Sequence, residues 1–506
     1  MLSKTIAGAT IGLHGVLITV EVDVAGRGFP TLTIVGLPNK SVDESKDRVR
    51  TALTNTGYEM PESRITVNMA PADIPKSGSA FDLAIAIGIL AASGMIPQSA
   101  LENKMILGEL SLEGNVRKIN GIVPLILLAQ EEGIGEVYIP EENVEEASIF
   151  DDIHIFPVKN LQTLINHLLE KEKMATYTFI EKRHRADEFE LLNDFAQIKG
   201  QEQSKRALEV AAAGFHNIHL KGTPGAGKTL LSRSMPTILP KLQKQEILEV
   251  AKIYSVVGEL SDAIFHGVRP FRSPHHTTSR VGLIGGGSTP MPGEISMAHR
   301  GVLFLDEFPE FPRNVLEAMR QPLEDGVVTV SRAAGTLTFP ARFLLLAASN
   351  PCPCGYLGHP KKPCKCAPGM IMRYKKRLSG PLLDRIDLHI DVPPVEVDEL
   401  SDEYKSESSK DVRTRVLAAR KIQEKRFKGK RTLFNSEIRS SDIKKYCVLT
   451  DDAQSMLKQA VERLSLSARS YFKTIKVART IADLEGSKEI EAAHIAEALQ
   501  YRAKEL

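Results

Sequence analysis

One eight-residue segment constrains the fold of this chain more than any other. Residues 222–229 read GTPGAGKT and fit the phosphate-loop pattern G-x-x-x-x-G-K-[ST]. Its glycines let backbone N–H groups turn towards phosphate oxygens, and a helix beginning near Lys228 adds its positive N-terminal dipole. Residues 217–221, with Ile218 and Leu220, precede the loop and are typical of a short strand. Strand, loop and helix in this order predict a nucleotide-binding α/β domain.

The same loop assigns separate tasks to its last two residues. Lys228 is expected to reach the β and γ phosphates, and the hydroxyl of Thr229 is expected to bind Mg²⁺. Chance produces such a match in roughly one to three chains in a hundred of this length, but the flanking strand and helix favour a real site. ATP and Mg²⁺ are therefore the predicted cofactors. The predicted phosphate-binding residues are Gly222, Thr223, Pro224, Gly225, Ala226, Gly227, Lys228 and Thr229.

Two further strands are predicted to end in polar residues at the same edge of the sheet. Residues 301–307 read GVLFLDE, so an apolar strand stops at Asp306 and Glu307. Asp306 is expected to hold Mg²⁺ and Glu307 to orient and deprotonate the attacking water, although a solvated acidic pair is the alternative. A third strand at residues 343–347 leads to Asn350, which either positions the same water or merely forms a turn.

Cations must also neutralise charge in the transition state, commonly through an arginine from a neighbouring subunit. Arg385 lies in SGPLLDRID, and Arg469 lies in SARS at the start of a helical run. Both are candidates for this role. The alternative for each is a surface salt bridge of little energetic value.

Four of the five cysteines fall within residues 352–366. Four thiolates in one short loop suit a tetrahedral Zn²⁺ of structural type, because no coordination position stays open for catalysis. The pairs are C-x-C, tighter than the commoner C-x-x-C, and His359 is an alternative ligand. Free, incidental cysteines are the other interpretation. The predicted zinc ligands are Cys352, Cys354, Cys364 and Cys366.

Length and patterning divide the chain into parts. Its 506 residues suggest about three domains, and the net charge of +2 indicates that any basic surface must be local. Alternating strands and helices predict an α/β or α+β domain over 1–170, then a charged linker over 171–193, a nucleotide-binding domain over 194–393 and a helical, basic region over 394–506. The predicted strands of the first domain are residues 16–24, 31–35 and 105–110, and its predicted helices are residues 43–55, 80–93 and 121–132.

Targeting signals are not evident at the start of the sequence. The first residues lack the charged and then apolar pattern of a signal peptide. The longest apolar stretch, residues 81–96, is too short to span a bilayer and predicts a buried helix. Five cysteines without a secreted disulfide pattern favour a cytoplasmic location.

In combination, these motifs resemble a known family. GTPGAGKT, GVLFLDE, LAASN, SGPLLDRID and SARSYFKTIKVARTIADLEG, in this order, resemble the magnesium-chelatase-like branch of AAA+ ATPases. The run NPCPCGYLGHPKKPCKC and the long N-terminal domain are similar to the YifB/ComM family within that branch. The resemblance implies a Lon-protease-like α+β domain, an AAA+ P-loop domain and a C-terminal helical lid. It also implies that Asn350 is sensor 1, Arg385 an arginine finger acting on the next subunit, and Arg469 sensor 2.

The resemblance further implies a function. Because an arginine finger works across a subunit interface, a homohexameric ring is expected. The family resemblance implies an ATP-driven DNA helicase that promotes branch migration when incoming DNA recombines during natural transformation, with single-stranded and branched DNA as partners. A chaperone-like AAA+ remodeller or a metal-chelatase subunit is the alternative. The complete set of nucleotide motifs argues against a non-enzymatic scaffold.

The N-terminal domain resembles the proteolytic domain of Lon proteases. Residues 76–80 and 108–116 echo the catalytic stretch of Lon, and Ser79 falls near the position of its nucleophile. A serine nucleophile needs a base. Val123 occupies the position at which the Lon pattern has its lysine base, so peptidase activity is not expected.

Several segments are candidates for DNA contact. Two β-rich runs within 327–339 predict a hairpin that in this branch projects into the ring pore, with Arg332 at its tip. A glycine-rich loop over 272–287 is predicted to make pore or substrate contacts through its histidines, rather than to bind metal. Basic residues at 373–377 and 410–431 suit phosphates, although solvated helix faces are the usual explanation. The individual contact candidates are Arg332, His275, His276, Arg373 and Lys375.

Overall fold

The computed structural model describes residues 1–26, 29–37, 39–74, 76, 78–177, 193–287, 290–332, 335–394, 406–430 and 432–503. The chain divides into two compact units. The first comprises residues 1–183 and 247–265, and the second comprises residues 184–246 and 266–506. Residues 247–265 thus belong to the first unit, although they lie within the domain predicted over 194–393. Most of the predicted linker falls outside the described residues.

A seven-stranded sheet forms the centre of the first unit, in the order β3-β4-β2-β1-β5-β8-β9. The longest pairing is the antiparallel ladder of β1 with β2. The predicted strands 16–24 and 31–35 are confirmed, whereas the single strand predicted over 105–110 is wrong, because two short strands of different sheets replace it. The strands are β1 Leu2–Ile11, β2 His14–Val24, β3 Thr31–Val35, β4 Arg64–Ala70, β5 Lys104–Ile106, β6 Glu109–Leu110, β7 Val116–Arg117, β8 Glu136–Pro140 and β9 His154–Val158.

The helices of this unit include the predicted buried one. Every residue of the helix Asp82–Ala92 is buried, and the carboxylate of Asp82 is compensated by Arg48, whose Nε lies 2.7 Å away. None of the helices in the described residues has the length and apolar character that crossing a membrane requires. The helices are α1 Lys40–Asp43, α2 Ser45–Asn55, α3 Asp82–Ala92, α4 Ile122–Glu131 and α5 Leu161–Leu168.

The second unit is built on a five-stranded parallel sheet, in the order β11-β14-β17-β10-β18. Both β14 and β17 are buried along their whole length. Because the strands are parallel, the loops that follow them meet at one edge, where such folds bind ligands. The strands are β10 Ile218–Gly222, β11 Phe271–Arg272, β12 Gly285–Gly286, β13 Met291–Pro292, β14 Val302–Leu305, β15 Val327–Arg332, β16 Gly335–Pro340, β17 Leu344–Ser349 and β18 Leu388–Val392.

Helices surround this sheet and make up most of the described C-terminal residues, which confirms the predicted helical region. The helices that accompany the sheet are α6 Glu202–Gly214, α7 Lys228–Ile238, α10 Arg280–Ile284, α11 Glu294–Met297, α12 Arg313–Ala318, α13 Arg320–Asp325, α14 Pro368–Lys375 and α15 Gly380–Leu383. Helix α8 Lys244–Val257, from residue 247 onwards, and helix α9 Asp262–Phe265 belong to the first unit. The C-terminal helices are α16 Ser409–Arg426, α17 Ile443–Tyr446, α18 Asp451–Leu464, α19 Ala468–Glu485 and α20 Ala492–Gln500.

Candidate nucleotide site

The phosphate loop connects β10 to α7, as predicted. Gly225 and Gly227 have φ angles of +81° and +85°, a region that glycine enters without steric cost. Gly222 meets a different demand, since a Cβ placed there would lie 2.4 Å from the carbonyl oxygen of Val392 on β18. The glycines of the motif therefore satisfy both the turn of the loop and its close packing on the neighbouring strand.

Lys228 begins α7 and turns its ammonium group back beneath the loop. Its Nζ donates hydrogen bonds to the carbonyl oxygens of Gly222, at 2.8 Å, and Thr223, at 3.0 Å. A third bond, of 3.2 Å, reaches Oδ1 of Asn350 at the end of β17. Burial lowers the pKa of Lys228, and the charge of Asp306 opposes that shift. Lys228 of the phosphate loop and Asn350, the predicted sensor 1, thus meet directly at the carboxyl edge of the sheet.

The predicted Mg²⁺ residues also meet. Oγ1 of Thr229 donates to Oδ2 of Asp306 at 3.0 Å, and Oδ1 of Asp306 accepts from the backbone N–H of Glu307 at 2.9 Å. A hydroxyl beside a carboxylate is a donor set that fits Mg²⁺, which binds proteins through a few oxygens and keeps its other positions for phosphate and water. Thr229 and Asp306 are the residues that would hold the ion.

Glu307 follows Asp306 with a φ angle of +50°, an uncommon conformation for a residue with a side chain. Its carboxylate is about half exposed, and Oε2 lies 3.3 Å from Nδ1 of His276. The rings of His275 and His276 have centroids 4.1 Å apart. His276, which the sequence suggested as a DNA contact, is therefore placed beside the candidate catalytic carboxylate.

Arg385 and Arg469 lie at the opposite edge of the sheet. Asn217, the residue before β10, donates through Nδ2 to the backbone oxygen of Arg385 at 3.0 Å. The phosphate loop follows β10, so the length of that five-residue strand, roughly 16 Å, separates the two ends. Both arginines contact one carboxylate, that of Glu324, which the sequence analysis did not single out.

The four predicted zinc ligands form a cluster whose sulfur atoms all lie within 4.8 Å of one another. The Sγ of Cys352 is 3.4 Å from that of Cys354 and 3.7 Å from that of Cys364. A tetrahedral site with Zn–S bonds of about 2.3 Å has edges of about 3.8 Å, so the cluster is compatible with structural zinc. The backbone N–H of Tyr356 hydrogen-bonds the sulfur of Cys354 and lowers the pKa of that thiol to about 6, whereas desolvation and hydrogen bonds among the clustered thiols raise the pKa values of Cys364 and Cys366.

This cysteine cluster packs against the phosphate loop. Gly355 has a φ of +82°, and a Cβ built there would lie 2.6 Å from the ring of Pro224. The cluster also begins two residues after Asn350. The cysteine loop is thus in a position to support both the phosphate loop and the predicted sensor.

The remaining candidates lie on the hairpin and on α14. The predicted hairpin exists, with Arg332 paired to Gly335 at its end, but the side chain of Arg332 lies outside the described atoms. Arg373 bonds within its own helix α14, and Lys375 lines a cavity of about 350 Å³ together with Asn350. The roles of these residues in DNA contact stay predictions.

Part of the basic run over 410–431 has a structural role. Arg420 is buried, and its guanidinium lies 3.9 Å from the ring centroid of Phe434. Arg426 pairs with Asp483 at 2.6 Å. These contacts hold α16 in the helical region, so the charge density of the sequence overstates the charge that is free to bind phosphate.

The Lon-like residues of the first unit have a different environment from that of a serine nucleophile and its lysine base. Ser79 donates its hydroxyl hydrogen to the carboxylate of Glu109. Val123 is fully buried in α4, and its backbone N–H donates to Oγ of Ser255 at 3.2 Å. The position of the expected lysine base is thus occupied by an apolar core residue.

A phosphate loop, an acidic strand end and a polar sensor residue on adjacent parallel strands define an AAA+ P-loop ATPase. Comparison with known families extends this assignment over almost the whole chain. Residues 20–143 match the family model described as subunit ChlI of Mg-chelatase, residues 194–400 match magnesium chelatase, subunit ChlI, and residues 406–502 match its C-terminal part. The chain belongs to the YifB/ComM family of magnesium-chelatase-like AAA+ ATPases.

Individual relatives support this membership. The chain is 45% identical to Competence protein ComM of Haemophilus influenzae over 502 residues, covering 98% of this chain and 96% of that protein. It is 42% identical to the uncharacterized protein YifB of Salmonella typhimurium over 505 residues, with the same coverage. A match to Lon protease 2 of Bacillus subtilis, 31% identical over 173 residues, covers 31% of this chain and 30% of that protein. The Lon-like character predicted for the N-terminal region is confirmed.

Proposed function

We propose that this protein is a cytoplasmic, homohexameric DNA motor that uses ATP hydrolysis to promote branch migration while incoming DNA recombines during natural transformation. The observation that carries the proposal is the full-length similarity to a protein named for competence. The family membership implies an ATPase, and the contacts of Lys228, Asp306 and Asn350 support ATP and Mg²⁺ as its cofactors.

Each nucleotide residue has a task in this proposal. Lys228 and the backbone N–H groups of the loop bind the phosphates, while Thr229 and Asp306 hold Mg²⁺. Glu307 accepts a proton from the attacking water, and Asn350 orients that water. Arg385 and Arg469 supply positive charge to the transition state from the adjacent subunit.

Zinc completes the proposed set of cofactors. Cys352, Cys354, Cys364 and Cys366 would hold one ion, whose contribution is to fix the shape of the loop that supports Pro224. Metal analysis of protein purified without added zinc tests this directly. We expect one zinc per chain, and a clearly sub-stoichiometric content contradicts the site.

The ATPase rate with and without DNA separates the DNA motor from its alternatives. We expect single-stranded DNA to raise the rate several-fold and the protein to move the branch of a synthetic three-strand junction only with ATP. Glu307→Gln is the control, because it should bind ATP and assemble but move no branch. An ATPase whose rate does not respond to DNA favours the chaperone-like remodeller or the chelatase-type subunit, and the matching family models are named for the chelatase.

The N-terminal unit is proposed to have no peptidase activity. The carboxylate partner of Ser79 and the buried Val123 support this view, because neither supplies the amine base that a Lon-type serine requires. Hydrolysis of a fluorogenic protein substrate that is lost in Ser79→Ala would contradict it.

A further inference from the structure

One carboxylate at the amino edge of the sheet binds both arginines that are expected to act on a nucleotide. Glu324 lies near the end of α13, immediately before the hairpin of β15 and β16. Its Oε2 accepts from Nη2 of Arg385, and its Oε1 lies 3.2 Å from Nη2 of Arg469. Arg385 and Arg469 are 84 positions apart in the sequence, so this convergence is a product of the fold.

The contact with Glu324 covers Arg385. The side chain of Arg385 is only 14% exposed, whereas that of Glu324 is 52% exposed. Nη1 of Arg385 donates to the carbonyl oxygen of Pro381 at 2.6 Å, and its Nε is buried without a hydrogen bond in the described part of the chain. An arginine that must reach a second subunit is therefore held against its own subunit, with one donor unsatisfied.

The guanidinium groups of Arg385 and Arg469, which meet at one carboxylate, are together suited to a multiply charged anion. The arginines open onto a cavity of about 880 Å³ on the amino side of the sheet. Glu324 supplies a single negative charge against two guanidinium groups, and its pKa is lowered first by the hydrogen bond from Arg385. Phosphate groups bind guanidinium groups with the same fork geometry and with more charge. The charged residues that line the cavity are the basic Arg342, Arg385, Arg439, Arg469, Lys473 and Lys476 and the acidic Glu324, Asp325, Asp384, Asp387 and Glu437.

We propose that Glu324 is an internal competitor for the phosphates of the neighbouring subunit: it retains Arg385 and Arg469 as a pair until a bound triphosphate displaces it. The proposal rests on the trans-acting role of Arg385 in the proposed function. Glu324 acts through the arginines and is a regulatory residue of the subunit interface. Its removal should make assembly with ATP easier, because the two arginines no longer need to be released.

The test measures ATP-dependent assembly in a Glu307→Gln background, so that hydrolysis does not take the ring apart. Light scattering or mass photometry gives the protein concentration of half-maximal assembly at saturating MgATP. We expect Glu324→Gln to lower that concentration about 3- to 10-fold, the combined effect of two part-exposed ion pairs. Glu317→Gln is the matched control, since Glu317 pairs with Arg320 on the adjoining helices and the substitution changes the charge equally.

Three results overturn the proposal. Unchanged or weaker assembly of Glu324→Gln shows that the carboxylate positions the arginines and does not compete with phosphate. A gain that persists when Arg385 and Arg469 are both changed to Ala shows that it acts elsewhere. If neither the Glu307→Gln protein nor its Glu324→Gln derivative assembles with ATP, the action of Arg385 and Arg469 on a neighbouring subunit is itself contradicted. If Glu324→Gln changes assembly but DNA does not change the ATPase rate, only the proposal of a DNA motor is contradicted. Assembly therefore tests the role of Glu324, and DNA stimulation tests the proposed function.

Discussion

The two edges of the parallel sheet in the second unit carry complementary chemistry. At the carboxyl edge, where three neighbouring strands end, Lys228 contacts Asn350 and Thr229 contacts Asp306. At the amino edge, two arginines converge on Glu324. The first group is equipped to bind a metal–triphosphate, and the second is equipped to neutralise the charge that develops when its terminal bond breaks. In the proposed function, each edge supplies one half of a hydrolytic site.

Geometry keeps these halves apart within one subunit. Strand β10 alone places roughly 16 Å between Asn217, which holds the backbone of Arg385, and the start of the phosphate loop. An arginine side chain spans much less than that distance. If the arginines act on ATP at all, they act on the ATP of another copy, which is the physical reason for expecting a closed ring.

The largest effects on the ATPase rate are expected from substitutions of the key residue at either edge. Lys228→Ala and Arg385→Ala should each lower the ATPase rate by about 10³-fold or more, the scale of an arginine finger. Only Lys228→Ala should also abolish binding of a fluorescent ATP analogue, because Lys228 contacts the phosphate loop and Arg385 does not. Steady-state ATPase and nucleotide titration measure both effects.

Mixing the two inactive variants sharpens the comparison. An interface with the phosphate loop of one chain and Arg385 of the other is intact, so roughly a quarter of the interfaces recover in a randomly mixed ring. We expect measurable ATPase to return on mixing. If the mixture stays inactive while each variant assembles, the two edges do not share a nucleotide.

The carboxyl edge was largely predictable, because its residues follow apolar strands in short, recognisable motifs. Hydrophobic runs predicted β14 and β17, and parallel pairing then brought Asp306 and Asn350 to the phosphate loop. The role of Arg385 came from the family resemblance, and no local pattern indicated its partner. Glu324 lies in the six-residue helix α13, 61 residues from Arg385 and 145 from Arg469. Contacts of such separation are set by tertiary packing, which single-sequence patterns do not contain.

The same limit applies elsewhere. The histidines were assigned to DNA from the glycine-rich loop around them, and the contact of His276 with Glu307 depends on the neighbouring strands β11 and β14. Strand β1 was missed because Ser3, Thr5, Gly8 and Thr10 interrupt its apolar residues. The basic run on α16 suggested nucleic acid, but stacking and ion pairs within the fold occupy part of it.

An intermediate effect is expected from the cysteine cluster, which supports the carboxyl edge alone. Cys352→Ala should remove bound zinc and lower the ATPase rate about tenfold, since outer residues of metal and catalytic sites commonly contribute 10- to 100-fold. The reason is the packing of Gly355 on Pro224. Metal analysis and ATPase rates measure the two effects.

The control is Cys447→Ala, which removes another buried thiol outside the cluster and should keep both zinc and activity. The concentration of half-maximal assembly, which is expected to depend on the amino edge, should change little in Cys352→Ala. Full activity in a zinc-free protein would show that the phosphate loop does not depend on the cysteine loop.

The smallest expected effect concerns His276, which contacts Glu307 at the carboxyl edge. Glu307 must face the attacking water to accept its proton, and an imidazole 3.3 Å away competes for the same carboxylate oxygen. His276→Ala should therefore raise the basal ATPase rate, by about two- to fivefold, because part-exposed pairs are weak. His275→Ala is the matched control, since His275 bonds to Thr277 and not to Glu307. Equal losses of DNA stimulation in both variants, with an unchanged basal rate, would instead return the pair to the DNA-contact role that the sequence suggested.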